Sequence, residues 1–180
     1  MTRSDATALS ADAVDVVAGR VGTSYAGDAS GETRVGLVCA KFNGGITERL
    51  LEGALEGLEA GGVKAATVTV AWVPGAFELP LTAARLARSG SVDAVVALGA
   101  VIRGETAHFD FVAGECASGL QRAALDTGVP VVFGVLTTET VDQALDRCAP
   151  GQANKGYEAA VTALEMADLL RALPGPAPAR

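Results

Sequence analysis

The 180-residue chain contains one histidine, His108, in surroundings suited to proton transfer. It closes the segment Gly99-Ala100-Val101-Ile102-Arg103-Gly104-Glu105-Thr106-Ala107-His108, in which an apolar stretch runs into a glycine turn. An unperturbed imidazole titrates near neutrality and can serve as general acid or base. The spacing GxxxxG followed by Thr106 resembles a phosphate loop, but Glu105 stands where that motif requires lysine. The segment is therefore not read as a nucleoside-triphosphate site. A smaller anion is still suited to the backbone N–H groups around residues 104–106 and to the Thr106 hydroxyl. A structural histidine is the alternative reading. The strand end, the glycine turn, the hydroxyl and the flanking Phe109 and Phe111 favour a functional one.

Two further segments fall where a strand gives way to a helix. In Lys41-Phe42-Asn43-Gly44-Gly45 the glycines permit a tight turn that leaves Phe42 near a ligand crevice. Taken alone, an ordinary turn with one buried aromatic is the simpler reading. In Trp72-Val73-Pro74-Gly75-Ala76-Phe77-Glu78, Pro74 and Gly75 sharpen the turn. Unpaired helix-start N–H groups there can bind a polar ring, Phe77 can stack on it, and Glu78 can accept a hydrogen bond. Glu78 as a first-turn residue favoured by the helix dipole explains the segment equally well. Arg147 and Lys155 read by default as surface charge, although an anionic substrate of so acidic a chain would need one or two such groups. Phe133 reads from periodicity as plain core.

The elements that must position these residues alternate regularly. Residues 34–40, 66–73, 93–102 and 130–136 read as strands, and residues 47–60, 76–88, 110–127, 140–147 and 153–172 as helices. This alternation predicts an α/β fold: three layers, a four-stranded parallel sheet and helices on both faces, in a flavodoxin-like arrangement. The unbroken apolar runs of the third and fourth strands suit a sheet covered on both sides. Ligands of such folds sit beyond the carboxyl ends of the strands. Residues 34–173 form the expected domain, between a flexible N-terminal extension of residues 1–33, with a short helix or added strand, and a flexible Pro-rich tail of residues 174–180.

Composition excludes several classes of function. With a net charge of −7 and no Lys/Arg cluster, the chain is not suited to grip a nucleic-acid backbone. Cys39, Cys116 and Cys148 are odd in number and widely spaced, which argues against a disulfide framework or a zinc site. No HExxH or paired-carboxylate pattern suggests another metal. The acidic N-terminus lacks the apolar region of a signal peptide, and no apolar run is long enough to span a bilayer, so a cytoplasmic, membrane-free protein is expected.

Five segments taken together resemble the lumazine synthase family. They are Phe42-Asn43; residues 72–80; residues 98–108; Pro130-Val131-Val132-Phe133-Gly134-Val135-Leu136-Thr137-Thr138-Glu139; and Asn154-Lys155-Gly156. The resemblance runs in order through residues 34–172. It implies a cofactor-free transferase of riboflavin biosynthesis that condenses 5-amino-6-(D-ribitylamino)uracil with 3,4-dihydroxy-2-butanone 4-phosphate. The products are 6,7-dimethyl-8-ribityllumazine, phosphate and water. By motif position, Phe42 stacks on the pyrimidine, while Ala76, Phe77 and Glu78 hold the ribityl and ring region. Ala100, Val101 and Ile102 line the ring, Glu105 and Thr106 meet the butanone phosphate, and His108 shuttles protons. Phe133, Arg147 and Lys155 come from a neighbouring subunit, with Arg147 on the phosphate. The partners implied are the two small-molecule substrates and further copies of the chain, in a pentamer or 60-subunit shell with interfacial active sites. Glu105 replaces a small or neutral residue of many relatives, so only its backbone N–H is assigned to binding. The 147–153 segment lacks an intervening lysine found in the commoner pattern. A flavin or lumazine carrier and a structural shell protein are the competing readings, and His108 with Arg147 argues against both.

Overall fold

A computed structural model describes residues 10–29 and 33–175. Its four strands are β1 (Val35–Ala40), β2 (Val68–Val73), β3 (Ala94–Ile102) and β4 (Val131–Thr138). Its helices are α1 (Ala11–Ala18), α2 (Gly44–Ala60), α3 (Leu79–Arg88), α4 (His108–Thr127), α5 (Val141–Arg147) and α6 (Lys155–Ala172), with single 3-10 turns at Ala65–Thr67 and Ala76–Glu78. All strand pairs are parallel, in the order β2-β1-β3-β4. The three-layer α/β fold is thus the one the alternation predicts.

Small apolar side chains on both faces of the central strands create two cores. Val35, Leu37 and Cys39 of β1 join Ala94, Val96 and Leu98 of β3 against α2 and α6. Val38, Val95 and Ala97 point the other way, toward Leu79 and Ala83 of α3 and Cys116 and Leu120 of α4. The edge strand β2 is less covered, with Val70 41% and Trp72 50% exposed. Phe133 on the opposite edge strand is 41% exposed. This corrects the plain-core reading: an apolar run does not reveal that its strand lies at the edge of the sheet.

The chain leaves β1 for β2 on one side of it and returns to β3 on the other. The carboxyl ends of β1 and β3 therefore flank a topological switch point, where a crevice opens. Local bonds shift two helix starts from their expected positions. Helix α2 begins at Gly44 rather than residue 47, because Asn43 takes a left-handed conformation (φ 56°) and its carbonyl accepts the N–H groups of Ile46 (2.9 Å) and Thr47 (3.2 Å). The Asn43 side chain donates to the Ala100 carbonyl of β3 at 2.9 Å, a bond between segments distant in sequence. Helix α4 begins at His108 rather than residue 110, following a turn in which Thr106 Oγ1 accepts the His108 N–H at 3.4 Å. His108 is thereby the first residue of a helix.

Residues 27–29, which precede β1, lie on α6. The Asp28 N–H donates to the Asp168 carboxylate at 3.0 Å, and a Cβ at Gly27 would collide with the Glu165 carbonyl. Residues 1–9 and 30–32 of the expected flexible extension, and 176–180 of the expected tail, lie outside the described residues. Among the described residues no helix is long and apolar enough to cross a membrane.

Helices α2 and α6 are locked by Asn154, which is 2% exposed. Its Oδ1 accepts the Gly156 N–H at 2.8 Å, capping α6, while Nδ2 donates to the carbonyls of Arg49 and Cys148, each at 3.0 Å. A Cβ at Gly156 would collide with the Leu50 carbonyl, so only glycine permits this approach. Asn154→Ala takes the side-chain partner from the Gly156 N–H and the Cys148 carbonyl and removes the tie to the Arg49 carbonyl of α2. It is expected to cost about 2–4 kcal/mol, measured as a lowered urea midpoint with unchanged slope.

Candidate active site

A cavity of about 680 Å³ opens at the switch point, bounded by the segments that follow β1 and β2 and by the end of β3 with the start of α4. Nine of the residues singled out from sequence line it: Phe42; Ala76, Phe77 and Glu78; Ala100, Val101 and Ile102; and Thr106 with His108. Glu105, between Gly104 and Thr106, is exposed and is not among the lining residues. Phe133, Arg147 and Lys155 do not reach this cavity. They line a separate hollow of about 460 Å³ between β4 and the first turns of α6.

Local structure explains the aim of each wall. Phe42 lies just beyond β1 with its N–H donated to the Pro74 carbonyl at 3.0 Å, which ties the first two strand ends together. Its ring is 71% exposed, correcting the reading of a buried aromatic. Phe77, at 56%, is likewise open. One oxygen of Glu78, Oε2, accepts the Gly75 N–H at 2.9 Å and closes the turn after β2. The helix-start reading of Glu78 and the site reading therefore describe the same residue, since it also lines the cavity.

All five phenylalanines of the chain line the two hollows: Phe42, Phe77, Phe109 and Phe111 the larger, Phe133 the smaller. A core of Ala, Val and Leu leaves its phenylalanine rings to the hollows, where a planar ligand can stack. Phe109 and Phe111 were legible only as aromatics flanking His108; the first turns of α4 bring them into the wall. Asn43, Pro74 and Gly75 also line the cavity. Their signal in the sequence was turn chemistry, which does not distinguish a wall from a connection.

The charged groups are arranged unevenly. Arg103, just past β3, contacts Asp110 (3.1 Å) and Glu139 (2.8 Å), and hydrogen bonds to these two carboxylates raise its guanidinium further above an already high pKa. In the smaller hollow, Arg147 Nη1 donates to the Gln143 carbonyl at 2.9 Å, and Lys155 Nζ lies 2.6 Å from the Glu158 carboxylate. The three cysteines are buried and free. Burial pushes the Cys39 thiol up to about 12 and the Cys116 thiol up to about 11, so neither supplies a thiolate nucleophile near neutrality. Among the described residues no group of three or more His, Cys, Asp or Glu side chains is placed to hold a metal ion.

A family model described as 6,7-dimethyl-8-ribityllumazine synthase matches residues 32–171. The chain belongs to this family. It is similar to a 6,7-dimethyl-8-ribityllumazine synthase of Edwardsiella ictaluri (strain 93-146), 58% identical over 146 residues that make up 81% of this chain and 94% of the relative. The lumazine synthase match spans all four strands, the cavity and the β4 hollow, so both groups of candidate residues lie within it.

Proposed function

We propose that the chain condenses 5-amino-6-(D-ribitylamino)uracil with 3,4-dihydroxy-2-butanone 4-phosphate, forming 6,7-dimethyl-8-ribityllumazine and releasing phosphate and water. Beside family membership, the observation that carries this reading is the single cavity uniting His108 and Thr106 with four aromatic rings at the switch point. Phe42 stacks on the pyrimidine. Ala76, Phe77 and Glu78 hold the ribityl side, and Ala100, Val101 and Ile102 form the apolar floor. Thr106 and the backbone N–H groups of the 104–106 turn receive the butanone phosphate. The exposed Glu105 carboxylate takes no part, because it would repel that anion.

The reaction requires imine formation, phosphate elimination and ring closure, each with proton transfers that His108 assists from the first turn of α4. Both substrates are intrinsically reactive, so holding them together supplies much of the acceleration. Mixing both substrates with the protein should produce lumazine absorbance and free phosphate together. No lumazine from the folded protein overturns the proposal. His108→Ala should slow turnover about 10-fold, below the roughly 100-fold low end of general acid–base contributions; complete loss in a correctly assembled variant contradicts the positioning argument.

The same proposal makes the active site a product of two subunits in a homo-oligomer, a pentamer or a 60-subunit shell. Phe133, Arg147 and Lys155 serve the cavity of a neighbouring copy, with Arg147 on the phosphate. Their separation from the His108 cavity within one chain supports this, as do the exposed apolar side chains Trp72 (50%), Leu81 (78%) and Leu125 (77%). The reaction is assigned to the cytoplasm, where three free cysteines stay reduced. Arg147→Ala should chiefly raise the KM for the butanone phosphate; an unchanged KM removes Arg147 from the site. Light scattering should give a multiple of the 18.1 kDa chain mass, and a monomer under assay conditions rules out the shared site.

A further inference from the structure

The loop that delivers His108 is gripped by a residue outside the cavity. Ile102 and Gly104 both line the cavity, yet Arg103 between them does not. Its main-chain N–H donates to the Thr138 carbonyl at the end of β4 (2.9 Å), so the residue is anchored to the sheet. From that anchor the side chain makes three contacts at once. Nη2 donates to Asp110 Oδ1 at 3.1 Å, Nε pairs with Glu139 Oε2 at 2.8 Å, and Cζ stands 4.1 Å from the centroid of the Phe109 ring. Two of these partners, Phe109 and Asp110, directly follow His108; the third lies just past β4.

Arg103 is 38% exposed and each carboxylate partner 60%, and ion pairs this open add little to stability. Their value lies in geometry. A planar guanidinium can present its edge to two carboxylates and its face to a ring, whereas an ammonium is a point charge that cannot do all three. Residues 104–107 contain a glycine and no regular element, so the orientation of the first turn of α4 depends on bonds to its neighbours. On the other side of His108, the long 3.4 Å contact from its N–H to Thr106 Oγ1 is the bond at hand.

We infer that Arg103 is a positioning residue for His108, clamping the first turn of α4 to the end of β4 through Phe109, Asp110 and Glu139. The inference rests on the proposed function, in which His108 moves protons during turnover. A positioning role acts only through His108. Arg103→Met keeps the aliphatic stem and removes the clamp. It should lower kcat about three- to tenfold, no more than His108→Ala does, and leave the KM for the pyrimidine substrate within about twofold. In a His108→Ala background the same substitution should produce no further fall in kcat. Arg103→Lys, which retains charge without the planar fork, should not restore kcat.

An Arg103→Met enzyme with wild-type kcat overturns the inference while the proposed function stands. So does an equal fold loss with and without His108, which is the mark of a general structural defect. Absence of lumazine formation by the wild-type protein overturns the proposed function and the inference with it. Should Arg103→Met not assemble, Asp110→Asn and Glu139→Gln each remove one arm of the clamp. Each should lower kcat with His108 present and not in its absence, and additive losses in both backgrounds overturn the inference.

Discussion

The pairing of β1 with β3 is the constraint on which the rest of the structure depends. From Val35 opposite Ala94 to Cys39 opposite Leu98, the two strands run parallel in register, with each of these side chains buried. Parallel strands cannot be joined by a hairpin, so every connection must carry a helix across a face of the sheet. With β2 on one side of β1 and β3 on the other, successive connections depart in opposite directions and leave a crevice between the two central strand ends. The cavity is therefore a consequence of strand order.

Small side chains make this arrangement possible and dictate where the aromatic rings go. Ala and Val on the central strands let helices approach both faces closely, and Gly156 brings α6 onto the main chain of α2. A core so tightly filled tolerates few large rings without overpacking. The phenylalanines lie instead along the two hollows, where Phe42, Phe77, Phe111 and Phe133 stay exposed while Phe109 packs against the core and under Arg103. The same chain leaves Trp72, Leu81 and Leu125 exposed.

The two hollows divide the chemistry. One carries the histidine, four phenylalanine rings and the turn that bears Gly104 and Thr106. The other carries an arginine and a lysine that are already held, Arg147 by the Gln143 carbonyl and Lys155 by Glu158. Glu139 relates the two regions along the chain: its carboxylate meets Arg103, while its N–H donates to the Gln143 side chain at 2.9 Å, four residues before Arg147. The β4–α5 corner thus borders both the His108 turn and the segment that bears Arg147.

Local signals in the sequence determined a great deal. Short apolar or β-branched runs located all four strands to within two residues; for the central β1 and β3 the reason is that a strand buried on both faces has to be apolar throughout. The turn residues after β1, β2 and β3 marked the walls of the cavity, since a fold of this class brings all carboxyl strand ends together. Strand order was legible only as a fold-class guess, because no local pattern records which strands are neighbours. Tertiary structure alone decided that Phe42 is open rather than buried, that Phe133 stands on an edge strand, and that Arg103 grips the first turn of α4. The separation of Arg147 and Lys155 from His108 within one chain, which the family resemblance implied, was not readable from local patterns either. These outcomes depend on partners far apart in sequence, and no pattern along the chain encodes a contact whose two halves meet only after folding.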